Sequence, residues 1–202
     1  SLHDALPISH YGEDIPLACV GVISKVNILM LGFTLGISQG CQPIFSYNYG
    51  ARPYSRVREA YRKAIVAASI ICCIAFVCFQ LFPRPIVALF DPSGSEEYFQ
   101  FAERYFRIYM FMTLANAFQP ITANFFTSIG KAKRGALIAL TRQVIFLIPL
   151  ILIFPLFLGI DGVMYAGPIA DSAAVVVALA LVTREMKRMP HVDEPVAADT
   201  LV

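Results

Sequence analysis

Charge is what this sequence has least of: Asp, Glu, Lys and Arg together make up 15% of its 202 residues, against about 25% in an average soluble domain. A soluble fold of this size must cover its surface with polar groups, and this composition does not supply them. A bilayer lifts the requirement, because hydrocarbon accepts an apolar exterior. Histidine is nearly missing as well. His3, His10 and His191 all lie near the termini, so none is placed inside an apolar stretch to act as a base or metal ligand. There is no G-x-G-x-x-G, no Walker A sequence around Gly130-Lys131 and no G-x-S-x-G, which leaves the corresponding enzyme classes without support. Net charge is only +2, and a nucleic-acid partner normally needs a concentrated basic face. Neither catalysis nor nucleic-acid binding is expected.

What is present is oil. Hydrophobic residues make up 57% of the chain, and the mean hydropathy is +0.65. Cys19, Cys41, Cys72, Cys73 and Cys78 all fall in apolar stretches and are odd in number, so they read as free thiols acting as small hydrophobes. Crossing about 30 Å of hydrocarbon takes roughly 20 mostly apolar helical residues, and five segments qualify. They run from about Ile15 to Asn48, Ala64 to Phe82, Phe99 to Ile129, Ala136 to Leu158 and Val163 to Thr183. The fold class is therefore all-α, with five transmembrane helices.

The charged connections alternate in sign. Arg52, Arg56, Arg58, Arg62 and Lys63 follow the first span, Lys131, Lys133 and Arg134 follow the third, and Arg184, Lys187 and Arg188 follow the fifth. On the other side lie Glu13, Asp14, Asp91, Glu96, Glu97 and Asp161, with Arg84 the lone base. The positive-inside rule places the basic connections in the cytoplasm of a bacterial cell membrane, with an outside start and a cytoplasmic C-terminus. Residues 1–10 open with Ser-Leu-His-Asp and have neither a basic nor an apolar leader pattern, so they read as a non-native stretch rather than a signal peptide. Residues 11–189 form the membrane unit, and the polar tail 190–202 reads as disordered.

Three motifs carry a resemblance. Gly36-Ile-Ser-Gln-Gly-Cys-Gln-Pro-Ile-Phe-Ser-Tyr-Asn-Tyr-Gly-Ala51 is followed by Arg142-Gln-Val-Ile-Phe-Leu-Ile-Pro149 and by Gly159-Ile-Asp-Gly-Val-Met-Tyr-Ala-Gly-Pro-Ile-Ala-Asp171. Together, in this order, they resemble the C-terminal part of the MATE (multidrug and toxic compound extrusion) family, in its MepA-like bacterial branch, over about residues 11 to 189. The resemblance implies helices eight to twelve of a twelve-helix, two-lobed transporter, without the N-terminal lobe and helix seven. It also implies export of small organic cations or amphiphiles, coupled to inward H⁺ or Na⁺, with no other cofactor. A flippase of lipid-linked saccharides with a related fold and a non-transporting membrane scaffold are the alternatives.

Isolated charges at bilayer depth cost at least about 2.5–3.5 kcal/mol on insertion scales, so they usually face a cavity or a partner. At a rise of about 1.5 Å per residue, Lys25, Arg107 and Asp171 each sit roughly 12–15 Å beneath the outer end of their helices. One polar layer of these three, with Asp171 as the cation- or proton-exchanging carboxylate, is set against a plain helix-holding salt bridge. Arg142 sits about 12 Å above the cytoplasmic end, which assigns it to another level with no direct pair to Asp171. It is expected to snorkel or to cap carbonyls freed by Pro149. Tyr109, Asn116 and Gln119 on the third span are the substrate-contact candidates, since polar atoms on a span prefer the bundle interior. Gly32, Gly36 and Gly40 share one helix face and suggest close helix packing. The basic stretch from Arg52 to Lys63 is accounted for by topology, although its bases also suit anionic headgroups.

Overall fold

A chain this apolar must satisfy its backbone groups without water, and a helix does so within each segment. The computed structural model describes residues 14–90, 92 and 96–190, with the side chains of 14–18, 97, 112, 114, 116, 160, 161, 163 and 164 outside the description. Among the described residues the secondary structure is entirely helical. The elements are α1 (Asp14–Gly50), α2 (Tyr54–Leu81), α3 (Pro83–Phe90), α4 (Glu96–Met110), a 3₁₀ turn (Phe111–Leu114), α5 (Ala115–Ser128), α6 (Ala132–Leu140), a π-helical segment (Thr141–Leu147), α7 (Ile148–Leu158) and α8 (Ile160–Arg188). Residues 1–10 and 191–202, where a non-native stretch and a tail are expected, lie outside the described residues.

Among the described residues, four stretches are long and apolar enough to cross a membrane: Cys19–Gly50, Tyr54–Leu81, Ala132–Leu158 and Tyr165–Arg188. They correspond to the first, second, fourth and fifth expected spans. The third is helical too, but Glu103, Arg104 and Arg107 crowd α4 and the 3₁₀ turn breaks it from α5. It still runs inside the bundle, against α1, α2 and α8. The largest boundary difference is at the start of the second span, and α8 also runs five residues beyond the expected Thr183. Helix α2 starts ten residues before Ala64, because Val57, Tyr61 and Ala64 are buried at helical spacing between the bases. The short α3 was not anticipated. Pro83 opens it at a first-turn position where a missing N–H is harmless, and its Val87 is fully buried.

Consecutive long segments run antiparallel. The Tyr49 and Tyr54 rings meet at 5.6 Å across the first turn, and Phe45 meets Phe125 edge-on at 5.3 Å at the same end of the bundle. At the opposite end Phe79 meets Phe106 at 5.5 Å. Two separate apolar cores result. One gathers Phe45, Tyr61, Phe125, Phe126 and Ile138 at the end with the basic connections. The other gathers Ile23, Phe79, Tyr98, Phe106 and Met110 at the acidic end. Between them the buried positions turn polar, with Thr34, Thr113 and Asp171.

Outside these cores the exterior is apolar: Leu152 is 64% exposed and Phe157 82%. Lipid tolerates such a surface and water does not. Gly32, Gly36 and Gly40 prove to lie on this exterior, with open space where a Cβ would stand, so the expected packing of that face is not made within this chain. Close approaches occur instead at Gly135, where a Cβ would come within 2.7 Å of the Ala123 carbonyl oxygen, and at Gly162, where it would come within 2.6 Å of the Phe154 backbone. The left-handed Gly159 (φ +59°) turns the chain there, which gives the Gly159-Ile-Asp-Gly162 sequence a physical reason. Of the five thiols, Cys19 and Cys72 are buried, whereas Cys73 and Cys78 face outward.

Candidate functional site

Pro149 has no N–H, and its ring crowds the carbonyl of the residue four before it, Ile145. The helix relaxes by widening. Over Thr141–Leu147 it is π-helical, and the Ile148 N–H donates five residues back to the Gln143 carbonyl. Such widened turns recur at functional sites because they re-aim one side chain relative to its neighbours. The side chain in question here is Arg142, whose Nε donates to Asp171 Oδ1 on α8. Asp171 is 8% exposed and stands one turn past Pro168, whose carbonyl accepts a 2.8 Å hydrogen bond from the Ser172 hydroxyl.

This pair corrects the expectation that Arg142 and Asp171 lie on different levels. Their depths were counted from opposite faces, about 12 and 15 Å, and in a core about 30 Å thick those counts leave only about 3 Å between them. An arginine side chain spans that easily. Arg142 thus reaches across the bundle to a carboxylate rather than snorkelling outward.

Two candidates flank the pair. The Tyr109 ring packs on α8 at Gly167, where a Cβ would come within 2.9 Å of it, one turn before Asp171. Gln119 on α5 donates from Nε2 to the Ile138 carbonyl at 3.2 Å, one turn before Arg142 and just ahead of the widened segment. Tyr109 and Gln119 therefore bracket the ion pair from its two ends. Asn116 is on α5, and its side chain lies outside the described residues. Lys25 and Arg107 are exposed on α1 and α4, and among the described residues neither forms an ion pair with Asp171. The Arg107 carbonyl accepts a 3.0 Å bond from Gln80 of α2. The three-residue polar layer is therefore not assembled within this chain.

A second ionic cluster escaped the sequence reading. Glu185, 1% exposed, is gripped by Lys131 of the α5–α6 connection and by Arg134 of the first turn of α6. The Lys131 ammonium also stands 5.9 Å over the Tyr49 ring. Arg58 donates to the Met189 carbonyl at 3.0 Å and the Pro190 carbonyl at 2.6 Å, closing the end of α8. Four segments are tied together at the basic end. The available signal was a lone acid amid Arg184, Lys187 and Arg188.

Chemically, the Arg142–Asp171 pair is a buried ion pair whose two charges depend on each other. It is stable while both groups are charged, and neutralising either leaves its partner buried without compensation.

Comparisons with known proteins agree with this architecture. The MatE family model matches residues 1–153. The multidrug export protein MepA of Staphylococcus aureus (strain bovine RF122 / ET3-1) is 22% identical over 175 residues, which are 87% of this chain and 38% of that protein. The chain thus spans well under half the length of these relatives. An outward-facing multidrug resistance MATE family transporter of the MOP superfamily superposes with a TM-score of 0.83 at 20% identity, covering 93% of this chain and 41% of that one. The bent form of the Vibrio cholerae MATE transporter VcmN gives 0.81 at 16% identity, covering 92% and 42%. At these identities the likeness speaks for the fold.

Proposed function

The chain belongs to the MatE family, and on that basis we propose that it is the C-terminal portion, helices eight to twelve, of a bacterial multidrug exporter. In this reading the complete protein moves cationic or amphiphilic compounds outward against inward H⁺ or Na⁺. The missing N-terminal lobe supplies the other wall of the pathway, because alternating access needs two halves rocking about a central site. The basic connections face the cytoplasm.

The observation that carries the reading is Asp171. A carboxylate at mid-bilayer depth is expensive, yet this one is kept, held by Arg142 and flanked by Tyr109 and Gln119. In the proposed cycle it takes part in cation or proton exchange, and Arg142 acts as the internal counter-ion when the site is vacant. Tyr109 offers an aromatic face to an organic cation. Gln119 positions the widened helix through the Ile138 carbonyl.

The test is ethidium efflux by the complete gene product in an efflux-deficient bacterium. Export by the parent protein, and a severalfold loss in Asp171→Asn at normal membrane abundance, is the expected result. Unchanged efflux in Asp171→Asn ends the role of Asp171. Failure of the parent protein to export any cationic dye ends the export reading.

A further inference from the structure

Between α1 and α2, at the basic end, runs an open groove of about 520 Å³. It exists because α2 presents Ala60, Ala64 and Ala67, too short to reach Cys41 and Ile44 across the gap on α1. Asn48 and Arg56 line the mouth at its outer end, and Glu59 and Lys63 continue along the α2 side to within one turn of Ala67. A continuation of the same surface adds Arg62 beside Lys63. Arg56, Arg62 and Lys63 are all exposed. Lys63 reaches back toward the mouth, with its Nζ 2.7 Å from Glu59 Oε1.

The dimensions are those of one leaflet. On α1 the lining runs from Ile37 to Asn48 and on α2 from Arg56 to Ala67, twelve residues each, or roughly 16 Å of helix. That is about half of a 30 Å hydrocarbon core. A slot one leaflet deep, apolar on its α1 wall and edged along α2 by Arg56, Glu59 and Lys63, with Arg62 on the adjoining surface, matches a molecule with a long chain and a negative head. A transmembrane helix in the same slot would bury Arg56 and Lys63 against apolar side chains. An organic cation would meet a like-charged mouth.

We propose that this groove is a binding site for an anionic phospholipid of the leaflet at the basic end. Its phosphate is held by Arg56, Arg62 and Lys63, and one acyl chain lies against Cys41, Ile44 and the three alanines. Basic pockets between membrane helices are suited to such headgroups, and this one combines the charge with a seat for the chain. Glu59 weakens the site by engaging Lys63 and repelling the phosphate. The inference needs only a chain embedded in a bilayer. A protein that retains the lipid and exports no dye leaves it standing.

The experiment is native mass spectrometry of the complete gene product released from nanodiscs holding equal phosphatidylglycerol and phosphatidylcholine. Preferential retention of phosphatidylglycerol is expected, falling about fivefold for each base removed in Arg56→Gln, Arg62→Gln and Lys63→Gln. Glu59→Gln should raise retention, and Arg84→Gln at the opposite end should leave it unchanged. Phosphatidylglycerol with a diazirine on its acyl chain should label peptides covering 37–48 and 56–67. Equal retention of the two lipids, or retention indifferent to the three bases, overturns the site. So does labelling that avoids both peptides, which would mean that a protein segment fills the groove. Should the triple variant fail to insert, Glu59→Gln and the labelled peptides still decide.

Discussion

Removing the Asp171 carboxylate leaves the Arg142 guanidinium in a low-dielectric interior with nothing to balance it, and breaking a buried pair from one side typically costs about 3–5 kcal/mol. Arg142→Met and Asp171→Leu are each expected to destabilise the protein by that order, read as a lower thermal midpoint in detergent, while the double variant recovers most of the loss. A cycle with no coupling would remove the pair from the account of stability. Glycines offer a graded series. Gly162→Ala drives a methyl into the Phe154 backbone and Gly167→Ala meets only the Tyr109 ring, so the first should destabilise more, by about 1–3 kcal/mol. Gly36→Ala meets nothing in this chain and should be neutral or slightly stabilising; destabilisation of the complete protein would show that another segment covers that face. At the acidic end Arg84 grips Glu96 in a bidentate contact of 3.0 and 2.5 Å. Its guanidinium holds the Glu96 carboxyl below the usual range. A depressed carboxylate stabilises the fold above its unfolded value and loses that contribution as pH falls through the folded one. Amide exchange around α3 and α4 should therefore rise on acidification below about pH 4.5, and Arg84→Gln should flatten the change.

At the scale of elements, the sequence was most readable where a single property dominated. Long apolar runs announced α1, α6–α7 and α8 nearly to their ends. Helix α2 was placed short because Arg56, Arg58, Arg62 and Lys63 lower the average of a stretch whose Val57 and Tyr61 are nonetheless inward. Average hydropathy hides amphipathic starts. The widened segment was not foreseen, although Pro149 was noted, because a proline permits a kink, a cap or an added residue per turn and only the packing selects among them. Consequently the Arg142–Asp171 contact was missed while its members were both singled out. Glu185 was missed for another reason: its burial depends on Lys131 and Arg134 arriving from fifty residues away in the chain. Restoring the N–H with Pro149→Ala should let the segment return toward ordinary α-helix and turn Arg142 off its target. The coupling energy in the Arg142/Asp171 cycle should then shrink, and an unchanged value would free the proline of that role.

At the scale of the molecule, the alternating chain directions and the basic connections gathered at one end fit a multi-pass protein of a transporter family. Accessibility tags placed near Arg52 and Lys131 should both report from the cytoplasm, and an opposite result would invert the proposed sidedness. The two aromatic cores have a mechanical corollary. Between them lies the Thr34, Thr113 and Asp171 level, where hydroxyls and a paired charge stand in place of ring contacts. Filling that level with apolar side chains in Thr34→Val and Thr113→Val should join the two cores into one column, seen as narrower spin-label distance distributions between its two faces, and unchanged distributions would separate the level from any motion between the cores.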